Sequence, residues 1–109
     1  MKERIKLIAL AGPGSALATP VHLELARKMG RSLIDHGFGL VTGGLNGVME
    51  AACEGGRSSP AWTHGKIVGL LPGSDPDAAN PYVDIAIPTG LEVARNILVA
   101  RSDALIAIG

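Results

Sequence analysis

The hydrophobic positions of this chain fall into short apolar runs, separated by longer segments in which apolar residues recur with a helical period. Apolar runs that end in glycine or proline are typical of strands buried in a parallel sheet. The predicted strands are residues 5–11, 38–42, 66–71, 82–87 and 104–108. The predicted helices are residues 20–36, 48–54 and 89–101. This alternation predicts an α/β fold, a Rossmann-like doubly wound parallel sheet in three αβα layers.

Helix-capping residues mark where these helices begin and end. Thr19 and Pro20 predict the N-cap and first residue of the first helix, and Gly37 predicts its end. The pair at residues 55–56, two glycines, predicts the end of the second helix. Residues 89–92, Thr-Gly-Leu-Glu, form a capping-box pattern that predicts the start of the third.

Composition limits the class of protein. The 109 residues predict one domain, residues 1–109, whose core is aliphatic because 47% of residues are hydrophobic and only 3% aromatic. Ten basic residues balance ten acidic ones, so we expect no nucleic-acid or membrane partner. The single cysteine, Cys53, and the lack of a long apolar segment favour a cytoplasmic location. The last apolar run stops at Gly109, where another glycine turn would follow, so we expect the fold to be incomplete at its C-terminus.

A glycine-rich turn between the second strand and the second helix predicts an anion site. Gly43, Gly44 and Gly47 let a ligand approach the backbone, and the first amides of the next helix are donors without helical partners. Thr42 and Asn46 flank this turn, and we expect them to orient the ligand. The alternatives are a tight turn without a ligand, and side chains that only cap it.

A second glycine turn ends the first strand. Gly12, Gly14 and Ser15 are therefore expected beside the first turn, at the same edge of the sheet, where two turns make a better phosphate site than one. The alternative is a strained loop that contacts no ligand.

Arg95 is the cation predicted to neutralise a bound anion. It lies near the start of its helix, where a positive charge opposes the helix dipole unless an anion is nearby. The alternative is an exposed arginine paired with Glu92. Arg101, in the last turn of the same helix, is predicted to be structural.

Other polar residues have weaker assignments. Glu50 is the acid nearest the first turn and suits a ribose hydroxyl or acid–base role, or a solvated position in the first helical turn. His22 is predicted to be packed or bonded to a helix cap. Asp75 and Asp77 suit either Mg²⁺ near a phosphate or a solvated turn. With one cysteine and isolated histidines, no zinc site is predicted.

Several blocks in order resemble one protein family. They are Thr42-Gly-Gly-Leu-Asn-Gly-Val-Met-Glu-Ala-Ala, Gly65-Lys-Ile-Val-Gly-Leu-Leu-Pro-Gly, Asn80-Pro-Tyr-Val-Asp, Thr89-Gly and Ala94-Arg-Asn96. Together they look like the molybdenum-cofactor carrier proteins, a branch of the lysine-decarboxylase-like LOG proteins. The resemblance implies a Rossmann-type fold and, with an exposed final strand, a homo-oligomer.

The two branches of that family imply different functions. The carrier branch binds molybdopterin and hands it on unchanged, whereas the LOG enzymes hydrolyse the N-glycosidic bond of nucleoside 5′-monophosphates. The enzymes use an arginine matching Arg95 and the glutamate of a Gly-Gly-x-Gly-Thr-x-x-Glu motif. That motif has no counterpart in these 109 residues, and Arg95 follows alanine rather than standing in the enzymes' Arg-Lys context. The resemblance therefore favours a carrier, with the phosphoribohydrolase as the alternative.

The predicted function is binding of a phosphate-bearing ligand, molybdopterin or a nucleotide. Selectivity is expected from the loops at residues 57–65 and 72–81, and Arg95 is the predicted catalytic residue only if the protein is an enzyme. The predicted binding residues are Gly12, Gly14, Ser15, Thr42, Gly43, Gly44, Asn46, Gly47 and Arg95.

Overall fold

A computed structural model describes residues 3–109. The strands are β1 (Leu7–Ala11), β2 (Gly39–Thr42), β3 (Ile67–Leu71), β4 (Ile85–Pro88) and β5 (Ala104–Ala107). The α-helices are α1 (Pro20–Asp35), α2 (Val48–Arg57) and α3 (Arg95–Val99). The strands form one sheet in the order β4–β3–β2–β1–β5, and every pair is parallel. The predicted α/β fold with a parallel sheet is confirmed.

The strand order places a switch point beside β1. The chain moves outward from β1 to β4 and then returns to the other side of β1 with β5. In sheets of this kind, ligands bind outside the carboxyl ends of the strands on either side of such a reversal. The carboxyl edge near β1 and β5 is therefore where a ligand site is expected.

One face of the sheet is covered by α1 and α2 and forms the main core. Leu10, Leu40 and Ile67 point to this face and are fully buried, together with Ile34 of α1 and Ala52 of α2. Burial of each large aliphatic side chain contributes about 1.5–3 kcal/mol. This face therefore supplies most of the apolar stabilisation of the fold.

Glycines allow α1 and α2 to touch through their backbones. A Cβ atom on Gly30 would collide with the carbonyl of Ala52, and one on Gly55 would collide with the carbonyl of Arg27. The prediction that residues 55–56 end the second helix is therefore wrong, because α2 continues to Arg57. Gly30 and Gly55 allow the two helices to pack closely where they cross, and Gly55 does not end α2.

The opposite face is covered only in part. Val99 of α3 packs against Ala9 and Val41 in a small buried cluster. Beside that cluster, Ile97 keeps 66% and Leu105 keeps 50% of its surface exposed. The two faces of the sheet therefore differ sharply in how completely they are covered.

The third helix and fourth strand differ from their predicted bounds. β4 starts at Ile85, later than predicted, and α3 is only five residues long, after a 3₁₀ turn at Glu92–Ala94. The predicted capping box does not form, because the Glu92 amide donates to the Pro72 carbonyl at 2.8 Å, while the Thr89 hydroxyl donates to the Leu71 carbonyl at 2.6 Å. Glu92 itself has a φ of 52°. Thr89 thus ties this turn to β3 rather than capping a helix.

The N-terminus of α1 has the predicted cap. The Thr19 hydroxyl accepts from the His22 amide at 3.2 Å, and Nδ1 of His22 accepts from the Thr19 amide at 3.2 Å. Pro20 is the first helical residue, and Gly37 follows the helix with a φ of 86°. The cap-bonded interpretation of His22 is confirmed.

Two aspartates hold the amino edge of the sheet, each directly before a strand. Asp84, whose side chain is 0% exposed, accepts from Trp62 Nε1 at 2.9 Å, Arg57 Nη2 at 3.1 Å and the Ile67 amide at 3.1 Å. Asp103 accepts from both terminal nitrogens of Arg4 and from an amide of β1, each at 2.8 Å. Each carboxylate therefore ties an arginine to the first residue of a neighbouring strand.

The loop after α2 lies at this amino edge. Trp62 is bonded to Asp84, the Arg57 guanidinium stacks 4.5 Å from the Trp62 ring centroid, and the Ser59 hydroxyl bonds to Asp35. The loop at residues 57–65, predicted to contribute to ligand selectivity, lies at the opposite edge from the glycine turns, because α2 carries the chain from the carboxyl edge to the amino edge. The loop at residues 72–81 does follow a strand at the carboxyl edge.

Among residues 3–109, no helix is both long and apolar enough to cross a membrane.

Candidate functional site

The two predicted glycine turns lie against each other at the carboxyl edge. The Val48 amide, at the start of α2, donates to the Pro13 carbonyl at 3.0 Å. A Cβ atom on Gly47 would collide with the backbone of Gly14 and Ser15, and Gly47 has a φ of 74°. Only glycine satisfies both requirements at this position. The predicted adjacency of the two turns is therefore what the structure contains.

Thr42 stabilises the first turn from within. Its hydroxyl accepts from the Gly44 amide at 3.0 Å and lies 3.6 Å from the Cys53 sulfur, and its side chain is fully buried. Burial raises the pKa of the Cys53 thiol. The position of Thr42 therefore fits the alternative, in which its side chain only stabilises the turn, better than a role in orienting a ligand. Gly44 is buried as well.

Asn80, from the loop after β3, holds the same turn from the other side. Its amide Nδ2 donates to the Leu45 carbonyl at 2.9 Å, and its backbone amide donates to the Gly44 carbonyl at 2.9 Å. The side chain is almost fully buried. Sequence reasoning assigned no role to Asn80, although an Asn-Pro pair after a strand was a signal for an ordered turn at this edge.

The start of α2 presents backbone donors to the edge. Gly47 is its N-cap and no side chain caps it, while the Gly44 and Val48 amides already have protein acceptors. The first-turn amides of Met49 and Glu50 have no acceptor one helical turn earlier, because the first intrahelical bond is from Ala51 to Gly47. Fewer backbone amides are therefore available to an anion than the sequence predicted.

Arg95 lies against the first turn without a carboxylate partner. A Cβ on Gly43 would come within 2.6 Å of the Arg95 guanidinium, so the absent side chain makes room for it. The guanidinium bonds to the Asn96 side-chain oxygen, and its Nε is buried without a hydrogen-bond partner in the described part of the chain. Burial lowers the pKa of Arg95, and no acid offsets it. The predicted alternative, an exposed pair with Glu92, is wrong.

Three cavities lie along the carboxyl edge. We call the first, of about 370 Å³, the Arg95 cavity; it is lined by Leu10, Ala11, Gly12, Gly43, Met49, Arg95, Asn96, Val99, Ala100 and Leu105. The Glu50 cavity, of about 300 Å³, is lined by Ser15, Ala18, Leu23, Arg27, Asn46, Gly47, Glu50, Ala51 and Glu54. The bridging cavity, of about 270 Å³, is lined by Gly14, Ser15, Leu45, Asn46 and Met49.

The structure brings most of the predicted binding residues to these cavities. Seven of them line at least one cavity, and Thr42 and Gly44 lie behind the first turn. The seven are Gly12, Gly14, Ser15, Gly43, Asn46, Gly47 and Arg95. The sequence did not predict that four further residues line these cavities, because they reach a cavity only through the packing of several elements. These residues are Met49, Asn96, Arg27 and Glu54.

Acids in and near the Glu50 cavity differ in their partners. Glu54 accepts from Arg27 Nε at 2.6 Å and from the Tyr82 hydroxyl at 3.2 Å, and these bonds, Arg27 foremost, lower its pKa. Glu24 forms a longer pair with Arg27, at 3.4 Å. No hydrogen bond or ion pair within residues 3–109 occupies the Glu50 carboxylate. Glu50 is therefore the acid left open to a ligand.

Asp75 and Asp77, in the loop after β3, form a turn. Asp75 accepts from the Asp77 amide at 2.9 Å and begins a short 3₁₀ segment, Pro76–Ala78. Among residues 3–109, no three His, Cys, Asp or Glu residues are grouped as metal ligands. The Mg²⁺ interpretation of this pair gains no geometric support.

The sequence matches the family described as SLOG cluster4 over residues 5–109, and the chain belongs to that family. Its fold is similar to the molybdenum cofactor binding protein of Rippkaea orientalis, with a TM-score of 0.89 and 39% identity over 99% of this chain and 64% of that one. It is also similar to the Moco carrier protein of Chlamydomonas reinhardtii, with a TM-score of 0.83 and 38% identity over 97% of this chain and 63% of that one. An uncharacterised protein of Archaeoglobus fulgidus is 34% identical over 106 residues, 96% of this chain and 67% of that protein.

The chain thus spans slightly less than two thirds of these solved structures. The predicted resemblance to the molybdenum-cofactor carrier branch is confirmed.

Proposed function

We propose that this member of the SLOG cluster4 family binds the molybdenum cofactor at the carboxyl edge of its sheet and hands it on without converting it. The similar solved structures are a molybdenum cofactor binding protein and a Moco carrier protein, at 39% and 38% identity. The observation that carries the proposal is the half-buried Arg95 guanidinium, which faces the first glycine turn without an acidic partner.

An anion would satisfy what Arg95 lacks. Guanidinium groups bind phosphate through two parallel hydrogen bonds, and such charge-assisted bonds are stronger than neutral ones. A buried cation without a counter-ion is costly, so a site that keeps one is poised for a negatively charged ligand. The phosphate of molybdopterin meets this requirement, and the Arg95 cavity lies at the switch point of the sheet.

The backbone supplies the remaining donors. The uncapped first-turn amides of α2 belong to Met49 and Glu50, and the helix dipole favours a negative charge in front of them. Gly43 lets the Arg95 and Met49 side chains lie against the first turn, because a Cβ atom there would collide with both of them. Backbone amides and one arginine can hold a phosphate in place, as carriage requires.

The proposal is tested by comparing two arginine variants. We expect Arg95→Gln to weaken molybdopterin binding about tenfold to a hundredfold, since a hydrogen bond to a charged group contributes about 1.5–3 kcal/mol. Arg101→Gln is the matched control, because Arg101 is exposed and lines none of the three cavities. Binding is measured calorimetrically, by titrating oxygen-protected molybdopterin into each purified protein and following the heat of binding.

Two outcomes would contradict the proposal. Equal affinity of the two variants would remove Arg95 from the site. Release of adenine from AMP by the wild-type protein would show a phosphoribohydrolase, the alternative function, and would overturn carriage without conversion.

A further inference from the structure

The three cavities adjoin one another across the glycine turns, and we call them together the trough. Met49 lines both the Arg95 cavity and the bridging cavity, and Ser15 and Asn46 line both the bridging cavity and the Glu50 cavity. The floor between the two ends is the pair of glycine turns, where side-chain bulk is least. An elongated ligand therefore has one uninterrupted surface to lie on.

The two ends of the trough carry opposite charges, and neither charge has a partner of opposite sign within residues 3–109. Arg95 has no acidic partner at one end. At the other end Arg27 is engaged by Glu24 and Glu54, whereas the Glu50 carboxylate is unoccupied within residues 3–109. A guanidinium can bind an anionic group and a carboxylate can accept hydrogen bonds, so the two ends together suit a ligand with an anionic end and a donor end.

We propose that the ligand lies along this trough with its phosphate at Arg95 and that Glu50 accepts the paired N–H groups of a 2-amino-4-oxopyrimidine ring. Pterins and guanine share that ring edge. The inference rests on the proposed function and adds the orientation of the ligand and the residue that selects its ring.

The chemistry of this ring edge explains the selectivity. The ring N–H and the neighbouring 2-amino group point the same way, so they meet both carboxylate oxygens of Glu50 as a guanidinium does. Hypoxanthine keeps the ring N–H but lacks the amino group, so it can make only one of the two bonds. Adenine presents a lone pair at the same ring position, which a carboxylate repels.

Met49 gives the ring an apolar surface between the two ends. Its thioether borders Gly43, where a Cβ would come within 2.7 Å of the sulfur, and it is the residue shared by two cavities. Thioethers pack well against flat ring systems and adapt to their shape. The charged ends thus fix orientation and the middle of the trough supplies packing.

The test uses two nucleotides that differ only in the 2-amino group. GMP and IMP are titrated calorimetrically into wild-type protein, Glu50→Gln and Glu24→Gln. We expect wild-type protein to bind GMP about tenfold to a hundredfold more tightly than IMP, which is the worth of one bond to a charged acceptor. Glu50→Gln should bring the two affinities within about threefold, whereas Glu24→Gln, a matched loss of one negative charge outside the trough, should keep the preference.

The outcomes separate this inference from the proposed function. Equal wild-type affinities for GMP and IMP, or a preference that survives Glu50→Gln, would overturn the inference while phosphate binding stands. Arg95→Gln should weaken both nucleotides alike, and failure to do so would count against the proposed function. If wild-type protein binds neither nucleotide and no molybdopterin, both are overturned.

Discussion

The two edges of the sheet treat their charged groups in opposite ways. At the amino edge, Asp84 and Asp103 each have an arginine and a strand amide as partners. At the carboxyl edge, Arg95 and Glu50 have no partner of opposite charge within residues 3–109. The amino edge is therefore arranged to hold strands in register, and the carboxyl edge is arranged to meet something outside the chain.

The same difference is visible in the backbone. The amino edge is covered by a loop that Trp62 and Ser59 hold in place through hydrogen bonds. At the carboxyl edge, the glycines leave the backbone without side-chain cover. Polar groups that are satisfied internally add stability but have nothing left for a ligand. Loss of a charged side chain should accordingly affect stability at the amino edge and binding at the carboxyl edge.

Removal of Asp84 should produce the largest effect on stability. Asp84→Ala leaves Arg57, the Trp62 indole and a strand amide without their acceptor in a fully buried position. Breaking a buried charged pair costs about 3–5 kcal/mol in unfolding free energy. Urea unfolding measures this loss, with the exposed Asp77→Ala as control, and the folded fraction of the variant should bind its ligand normally. A change below 1 kcal/mol, on the order expected for a surface site, would contradict the assigned role.

Substitution in the glycine turns should affect both properties at once. Gly47→Ala forces a left-handed backbone on a residue with a side chain and drives that side chain into the neighbouring turn, so we expect a loss of about 2–4 kcal/mol and weak binding. Gly14→Ala is the matched control, because a Cβ there meets nothing within 4 Å. Similar unfolding curves for the two variants would show that the turns are not in contact in solution.

The sequence predicted the sheet and the position of the glycine turns because their signals are local. Apolar runs closed by glycine or proline mark parallel strands, and the carboxyl ends of such strands must share an edge. The amino-edge network left no such signal, since the partners of Asp84 lie 17 to 27 residues away along the chain. In the sequence Asp84 cannot be distinguished from an ordinary loop residue, because its contacts depend on where the loop after α2 lies in the fold.

One wrong prediction and one rejected alternative show where local signals are ambiguous. Gly55 has the same sequence signature whether it ends a helix or lets another helix approach, and only the position of α1 decides between them. Arg95 lies at the carboxyl edge, and the rejected alternative, a pair with Glu92, required a regular helix across both residues. The 3₁₀ turn before α3 changes the helical spacing and directs Arg95 toward Gly43 instead.

The smallest expected effect is a pH dependence at Asp103. Bonds from Arg4 and from the Leu7 amide hold the pKa of Asp103 well below its ordinary value. A depressed folded-state pKa adds stability above the ordinary carboxyl pKa and loses it as the pH falls toward the folded value. The stability difference between wild type and Asp103→Asn should therefore be greatest near neutral pH and shrink below about pH 4. Chemical unfolding at a series of pH values measures it, and a constant difference would contradict the assignment.

The backbone contact between α1 and α2 has a consequence for how a guest molecule reaches the trough. At Gly30 and Gly55 the carbonyls of Ala52 and Arg27 lie against the opposite helix with no side chain between them. We expect the two helices to move as one unit, so that the start of α2 and the His22 end of α1 move together. A ligand should then enter and leave from above the glycine turns.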